Sequence, residues 1–278
     1  MNRENLSNNN AAENPWTDFS MRELPTTSAN STCRFYLQEI ERLGRLSKVA
    51  HFIDEKLLED PKIYASVEDF ISDNPDYAES LDDTLSQDQK TAIKEYSGFR
   101  FAWINSVMRG FWDYDKMGKK TPELEAEIRT TAHDIDAAIS IAPAPKSDFI
   151  TFRGTNIDAF RNYDIQNLAD LKALEGQFYL EEGFTSTAIV RDKSFVERAA
   201  SDLWIKQSNI EVRYHIPAES HDSLALLSHE LSYNPEQTEV LLNRHTLSYI
   251  SEVSIAENSH ATIDALLSPR ELYEPNLA

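Results

Sequence analysis

The first half of the chain carries a helical pattern of apolar residues. After Cys33, the stretch FYLQEIERLGRLSKVAHFIDEKLL places apolar side chains three to five residues apart, which forms one face of an α-helix: Phe35, Ile40, Leu43, Leu46, Val49, Ile53 and Leu57. Three further helices are predicted from their starting residues, Ser66, Ser86 and Thr121. Ser86 has Gln89 three residues later, and Thr121 is followed by proline, two signals of a helix N-terminus.

After Pro145 the pattern changes to the alternation that is typical of β-strands. In DFITFRGT the apolar Ile150 and Phe152 alternate with polar neighbours. Five further segments are predicted strands: YLEEGFTSTAI, IEVRYHIPA, HDSLALLS, TEVLLNRH and TLSYISEVSI. A block of helices followed by many short strands predicts an α+β fold and not an alternating α/β one.

These patterns divide the chain into three regions. Residues 1–32 are rich in Asn, Ser and Thr and poor in large apolar residues, so we expect a disordered leader. Residues 33–84 are predicted to form a helical N-terminal subdomain, which is either a scaffold for the rest of the chain or a module that binds a target. Residues 85–278 are predicted to form the main domain.

Charge and composition narrow the range of partners. The 278 residues include 47 Asp and Glu against 27 Lys and Arg, a net charge of -20. Such a field repels phosphate backbones, so nucleic acid is not expected as a partner, whereas a basic protein surface is. Solubility alone explains the charge equally well.

The same composition restricts export and covalent cross-links. Cys33 is the single cysteine, which excludes an intrachain disulfide and a cysteine-based zinc site. No apolar run reaches the roughly 18 residues of a membrane span, and the N-terminus has no apolar segment typical of a secretory signal peptide. We expect a protein that is either cytoplasmic or exported by a route without a conventional signal peptide.

Familiar catalytic motifs are absent from the sequence. It contains no GxGxxG, no P-loop and no GxSxG. His229 and Glu230 begin like HExxH, but position 233 is tyrosine. His215, His221 and His229 would have to meet in space to bind a metal, and histidines beside strands are more often structural. We therefore predict no metal site.

Three short stretches carry candidate chemistry. Arg153 precedes Gly154, so a guanidinium and a bare backbone can approach one anion, although a single strand-end arginine is usually a surface charge. Ser186 lies in GFTSTAI, where hydroxyls alternate along a strand. Gln237 and Glu239 lie on one side of a strand, either as part of a solvated turn or as a carboxylate held for a cationic transition state.

In this order, Arg153, Ser186 and Glu239 resemble the Arg, Ser-Thr-Ser and Gln-x-Glu motifs of mono-ADP-ribosyltransferase toxins. The similarity is to the clostridial binary toxins and the C3-like exoenzymes, and it covers about residues 85 to 256. It extends to an upstream helix and to a loop after the serine motif, through Tyr96, Asn105, Arg109, Phe195 and Arg198. The polar leader also resembles those of injected bacterial effectors.

The resemblance implies a fold and an activity. It implies N-terminal helices followed by a two-sheet, mostly antiparallel β core, with residues 85–278 as the catalytic domain. It implies a monomeric toxin or effector that transfers ADP-ribose from NAD+, as co-substrate, to a protein that belongs to a host cell. Residues implied to contact NAD+ are Tyr96, Asn105, Arg109, Arg153, Gly154, Phe195 and Arg198.

The implied catalytic residues are Glu239, Gln237, Ser186 and Arg153. Ser186 would orient Glu239, which would accept a hydrogen bond from the 2'-hydroxyl of the nicotinamide ribose. Within the family, glutamine two residues before the acid goes with an Asn or Gln acceptor, so Gln237 favours an amide. The adjacent Glu236 is the residue that would serve an arginine acceptor instead.

Other functions stay open at this point. A non-catalytic protein-binding module on the same fold is one, and the retention of the motif residues argues against it. Transfer to nucleic-acid bases is disfavoured by the net charge of -20. Hydrolysis of NAD+ without an acceptor is not separable from transfer by sequence.

Overall fold

The computed structural model describes residues 40, 44–77, 81–112, 117–193, 209–220, 224–226, 231–233, 238–256 and 260–274. Its helices are α1 (Leu46–Lys56), α2 (Val67–Asp73), α3 (Leu81–Thr84), α4 (Gln87–Glu95), α5 (Phe101–Met108), α6 (Pro122–Ile139) and α7 (Arg270–Tyr273). A π-helical turn, Tyr96–Arg100, joins α4 to α5. Within these ranges no helix has the length and apolarity needed to cross a membrane. The predicted leader lies outside the described residues.

The predicted helix starts are confirmed. Ser66 Oγ accepts a hydrogen bond from the backbone N–H of Asp69 at 3.1 Å. Ser86 and Gln89 form a complete capping box at the start of α4. Thr121 Oγ1 accepts from the backbone of α6 beside the proline at its first turn. The long predicted first helix is instead interrupted at Gly44, whose φ of +66° is a left-handed conformation that glycine adopts readily.

Eight strands form the second half of the described chain. They are β1 (Phe149–Thr155), β2 (Phe178–Glu181), β3 (Thr185–Ala188), β4 (Ile210–Ile216), β5 (Leu224–Leu226), β6 (Glu239–Leu242), β7 (Thr246–Ile255) and β8 (Ala261–Leu267). Their order across the sheet is β2-β7-β8-β4-β1-β3-β6-β5. All neighbours are antiparallel except β4 and β8, which are parallel. The α+β class and the mostly antiparallel pairing are confirmed.

Three sequence expectations about the strands were wrong. The two-sheet core is one continuous eight-stranded sheet, because β1 and β3 are joined, at the single pair Phe152 and Ala188. The segment YLEEGFTSTAI, predicted as one strand, is two strands, β2 and β3, separated at Glu182–Phe184. β8 was not predicted at all. Its position in the sheet depends on parallel pairing with β4, which is distant in sequence.

The apolar residues form two clusters that meet at the sheet. One contains the inner side chains of most strands together with Val49 and Ile53 of α1 and Phe70 of α2. The other contains the buried faces of α4, α5 and α6 with Phe184 and Leu241. The short strands β3 and β6 therefore lie between the helices and the larger part of the sheet.

A buried lysine fastens α1 to the sheet. Lys56, at the end of α1, forms ion pairs with Asp148 at 3.3 Å and with Glu219 at 3.1 Å. Asp148 precedes β1 and also binds His215 of β4, at 2.8 Å, and the backbone N–H of Ala218, at 2.9 Å. The contacts join residues 46–56 to the edge of the main domain. The division of the chain at residue 84 stays a prediction.

Candidate active site

Glu239 is the first residue of β6 and is held inside the protein. It is 4% exposed, and it pairs with Ala188 of β3. Burial raises the pKa of the Glu239 carboxyl above its ordinary value, while a hydrogen bond from Ser186 and the charge of Arg153 lower it. The carboxylate is thus oriented by a hydroxyl and largely removed from water, which strengthens its electrostatic effect on a nearby cation.

The backbone in front of Glu239 turns sharply. Thr238 has a φ of +51°, which is uncommon for a β-branched residue. Its carbonyl accepts a hydrogen bond from the backbone N–H of Ile189 at 3.3 Å, which ties the turn to the end of β3. Local strain of this kind is retained where the surrounding structure demands it, and here it sets the point at which Glu239 enters the strand.

Arg153, Ser186 and Glu239 come from three consecutive strands of the sheet, β1, β3 and β6. Arg153 Nη1 donates to the Ser186 carbonyl at 3.5 Å, a long hydrogen bond. The charge of Arg153 also lowers the pKa of the buried Glu181 carboxyl. The structure therefore brings the three motif residues together, and the charge of one guanidinium acts on two buried carboxyl groups. Gly154 follows on β1, opposite Glu211 of β4.

Tyr96 and Asn105 hold the backbone that leads into β3. The Tyr96 hydroxyl donates to the Phe184 carbonyl at 3.0 Å. Asn105 Nδ2 donates to the same carbonyl at 3.1 Å, and Asn105 Oδ1 accepts from the Phe184 N–H at 2.9 Å. Both side chains are buried, and the Tyr96 ring meets Phe184 edge-on. Their implied contacts with NAD+ stay a prediction. The contacts that the structure gives them include the Phe184 backbone and one another, since Asn105 Nδ2 also donates to the Tyr96 hydroxyl at 3.1 Å.

Arg109 and Glu181 form a buried ion pair beside this backbone. Arg109 Nε donates to Glu181 Oε1 at 2.8 Å, and the side chains are 15% and 8% exposed. Burial alone would lower the pKa of Arg109, but the charge and hydrogen bond of Glu181 raise it. Burial alone would raise the pKa of Glu181, but Arg109 and Arg153 lower it. Both groups are therefore charged at neutral pH.

Gly183 allows these side chains to approach the chain so closely. A Cβ atom at this position would lie 2.7 Å from Asn105 Oδ1 and 3.2 Å from Arg109 Nε. The first distance is shorter than any tolerated contact. A residue with a side chain at position 183 would therefore displace the Asn105 amide from Phe184 or move the Arg109 guanidinium.

A short segment before the catalytic strand is fastened to the π-helical turn. The backbone N–H of Tyr233 donates to Ser97 Oγ at 2.8 Å. The Tyr233 ring lies over Gly98, where a Cβ atom would be 3.3 Å from ring atom Cδ2. Tyr233 is nevertheless 56% exposed. Tyr233, five residues before Thr238 in the sequence, is thus held by the π-helical turn.

Several predicted residues lie outside the described residues. They are Gln237 and the adjacent Glu236, and also Phe195, Arg198, His221 and His229. Among the residues described, no group of three or more His, Cys, Asp and Glu side chains is placed to hold a metal ion.

Glu181 is a site residue that the sequence prediction missed. Its segment, EEGF, immediately precedes the serine motif, and two acids before a glycine are typical of a solvated turn. The available signal was position: Glu181 lies five residues before Ser186 in the predicted strand YLEEGFTSTAI. Its burial depends on Arg109, which is 72 residues away in sequence.

The arrangement suits a substrate that is anionic at one end and becomes cationic at a carbon atom. Arg153 and Arg109 are cationic groups able to bind phosphate. Glu239, fixed by Ser186, can stabilise positive charge that develops beside it.

Comparisons with known proteins agree with this chemistry. The sequence model described as ADP-ribosyltransferase exoenzyme matches residues 74–268, more than half of the chain. The fold of the chain is similar to that of the C3 exoenzyme of Clostridium limosum, with 22% sequence identity and a TM-score of 0.55. The alignment covers 76% of this chain and 98% of that one. A comparison with curated protein sequences gave no match.

Two further structures were determined with a small molecule. C3stau2 from S. aureus, crystallised with NAD, has 20% identity and a TM-score of 0.54, and the alignment covers 76% of this chain and 100% of that one. The Vis toxin of Vibrio splendidus, in complex with agmatine, has 17% identity and a TM-score of 0.51, with coverage of 80% and 94%. At these identities the similarity establishes the fold.

Proposed function

Because the chain belongs to the ADP-ribosyltransferase exoenzyme family and is an NAD+-dependent ADP-ribosyltransferase, we propose that it transfers ADP-ribose to a side chain of a target protein. The observation that carries the proposal is the buried Glu239 carboxylate, oriented by the Ser186 hydroxyl beside the Arg153 guanidinium. A non-catalytic binding protein would have no need to keep a carboxylate buried at the expense of its hydration.

The reaction follows from this geometry. The bond between the ribose C1' and the nicotinamide nitrogen breaks, and its electrons leave with nicotinamide, which becomes neutral. C1' acquires the positive charge of an oxocarbenium-like centre, as in glycoside cleavage. An acceptor nitrogen then attacks C1' and loses a proton. Because the leaving group departs neutral, no general acid is needed, and one carboxylate is sufficient.

Glu239 would act on the ribose through charge and a hydrogen bond. Its carboxylate would accept from the 2'-hydroxyl and stabilise a positive charge that exists only near the transition state. The Ser186 hydroxyl keeps the carboxylate in one rotamer, so little reorganisation is required during the reaction. Burial in β6 keeps water from screening the interaction.

The phosphates of NAD+ would meet the arginines. Arg153 lies next to the reacting end, and Arg109 lies beside Asn105 and Gly183 on the helical side. Both are held cationic inside a chain whose net charge is -20. Phe195 and Arg198 are proposed to complete the nicotinamide and phosphate contacts, and Gly154 to offer its backbone to the carboxamide.

The acceptor is proposed to be an Asn or Gln side chain, on the strength of Gln237, since an amide pairs well with another amide. Arginine is the second candidate, through Glu236. The agmatine bound to the Vis toxin, a compound with a guanidinium group, favours this second candidate. The target is proposed to be a host-cell protein, reached by a monomeric toxin or effector that is secreted or injected.

Labelled NAD+ tests the proposal. The purified protein and its Glu239→Gln variant would be incubated with biotin-labelled NAD+ and bacterial or eukaryotic lysate, and the labelled proteins would be separated on a gel. We expect a discrete band that only the unsubstituted enzyme produces. Release of nicotinamide without any labelled protein, across all lysates, would contradict transfer to protein and leave NAD+ hydrolysis.

Neutral hydroxylamine then distinguishes the acceptors, because it releases ADP-ribose from arginine far more readily than from an amide. A band that persists supports Asn or Gln, and a band that is lost supports arginine. Gln237→Glu is the matched variant. We expect it to slow modification of an amide acceptor, and an unchanged rate on the original target would contradict the role of Gln237.

A further inference from the structure

Glu181 has more polar contacts than a simple salt-bridge partner needs. Its Oε1 accepts from Arg109 Nε at 2.8 Å and from the Gly183 N–H at 2.9 Å. Its Oε2 accepts from the Tyr179 hydroxyl at 3.2 Å. A carboxylate with three donors in a buried setting has a defined position and does not swing freely.

The location of Glu181 connects it to both arginines. It is the last residue of β2, five residues before Ser186. It pairs with Arg109 Nε at 2.8 Å, and the charge of Arg153 lowers its pKa. Its negative charge offsets that of Arg109 in a region of low dielectric. A neutral side chain at position 181 would leave Arg109 Nε without the ion pair that fixes it.

We propose that Glu181 is a positioning residue for the anionic part of NAD+. It holds the Arg109 guanidinium, before the substrate arrives, in the orientation that meets the diphosphate. It makes no contact with substrate and acts through Arg109. This inference rests on the proposed function, since it assumes that NAD+ occupies the site beside Arg153.

An opposite role would give the opposite result. If Glu181 occupied the place of a phosphate and had to be displaced by NAD+, removing its charge would strengthen binding. The bonds from the Gly183 backbone and from Tyr179 argue against displacement, because both would be broken when the carboxylate moved.

Glu181→Gln tests the proposal, with equilibrium binding of ADP-ribose and the KM for NAD+ as readouts. We expect ADP-ribose affinity to fall about tenfold or more and the KM for NAD+ to rise in parallel, since a charge-assisted hydrogen bond is lost. Because Glu239 and Ser186 are unaffected, kcat should change by less than about threefold. Equal or tighter binding of ADP-ribose by the variant would overturn the proposal.

Glu274→Gln is a matched control. Glu274 is also 8% exposed and also pairs with an arginine, Arg270, at 2.9 Å, but it lies directly after α7. The same chemical change there should leave ADP-ribose binding as it is in the unsubstituted protein. A loss equal to that of Glu181→Gln would assign the effect to general destabilisation and overturn the proposal.

Two further variants keep the test decisive. Glu181→Asp keeps the charge on a side chain that is shorter by one methylene group, so it should weaken ADP-ribose binding less than Glu181→Gln. It replaces Glu181→Gln in the test if that variant does not fold. In an Arg109→Lys background, adding Glu181→Gln should lower the affinity for ADP-ribose little further, because Glu181 acts through Arg109. Fully additive losses would contradict that route.

Binding separates this inference from the proposed function. If the unsubstituted protein transfers ADP-ribose but Glu181→Gln binds ADP-ribose equally well, the inference alone fails. If Glu181→Gln weakens ADP-ribose binding but the unsubstituted protein transfers nothing from NAD+, the proposed function fails while the positioning role stands.

Discussion

The hydroxyl of Ser186 donates to the buried carboxylate of Glu239 across two neighbouring antiparallel strands. A strand pair offers a rigid spacing between side chains on one face, so the hydroxyl and the carboxylate need little adjustment to meet. The contact also moves the pKa of Glu239 downward, against the upward effect of burial. Orientation and ionisation of the acid are therefore controlled by the same bond.

Removing that hydroxyl should change the pH dependence of the reaction. In Ser186→Ala the pKa of Glu239 loses a contribution that lowers it, so the carboxylate remains protonated to higher pH. The acid limb of kcat/KM for NAD+ should move to higher pH than in the unsubstituted enzyme. Thr187→Val is a neighbouring control. It also removes a hydroxyl from β3, but the Thr187 hydroxyl donates to the Val240 carbonyl and not to Glu239. A uniform loss of rate with an unmoved limb would contradict the role of Ser186.

The close approach at Gly183 predicts a coupled pair of substitutions. Gly183→Ala should lower the free energy of unfolding by about 1–3 kcal/mol, because the new methyl group overlaps Asn105 Oδ1. In an Asn105→Ala background the overlapping atoms are gone, so the same substitution should be less destabilising. Urea unfolding of the four proteins measures the coupling. Additive losses would show that the overlap is not the cause.

Asp148 predicts a stability change in acid. Burial would raise its pKa, but His215, the Ala218 N–H and Lys56 lower it to about 2, against 3.8 in the unfolded chain. A depressed pKa stabilises the fold above the unfolded value and ceases to do so as pH falls through the folded one. Asp148→Asn should lower the free energy of unfolding at pH 7 by on the order of 2 kcal/mol.

The difference in free energy of unfolding between Asp148→Asn and the unsubstituted protein should narrow as pH falls below 3.8 and vanish near 2. Urea unfolding across this pH range measures it. The KM for NAD+ should be unchanged, because Asp148 binds α1 and β4 and not the site. A difference that stays constant with pH would contradict the ion network as its source. A raised KM would link the N-terminal helices to catalysis.

A substitution in the π-helical turn should affect transfer to protein more than hydrolysis of NAD+. In Gly98→Ala the new methyl group would be 3.3 Å from the Tyr233 ring and would press on Tyr233, four residues before Gln237 in the sequence. We expect transfer to protein to fall while nicotinamide release into water is maintained, because Glu239, Ser186 and Arg153 lie on other elements. Equal losses of both activities would contradict this assignment.

The parts of the fold that the sequence predicts are those governed by neighbouring residues. The caps at Ser66, Ser86 and Thr121 depend on residues one turn away and were predicted correctly. β8 was missed because its place depends on pairing with β4, and ATIDALL contains alanines with little strand preference. The join of β1 to β3 is likewise a long-range contact that no local pattern indicates.

The site divides in the same way. Arg153, Ser186 and Glu239 were identified by their order and spacing, and the structure brings them together on adjacent strands. The Phe184 contacts of Asn105 and the burial of Glu181 could not be foreseen, because each depends on a partner more than 70 residues away. Burial decides whether an acid is a solvated charge or part of a site, and sequence alone does not report it.

Release of nicotinamide by the unsubstituted enzyme and by Glu239→Gln, at saturating NAD+, is the most direct test of the central claim. The amide keeps the shape and removes the charge, so the rate should fall by about a hundredfold or more. Burial raises the pKa of Glu239, so ionisation of its carboxyl lowers the free energy of unfolding as pH rises. Glu239→Gln, which carries no charge at this position, should therefore be at least as stable as the unsubstituted enzyme at neutral pH. An unchanged rate from a variant that is folded and binds NAD+ would contradict the account.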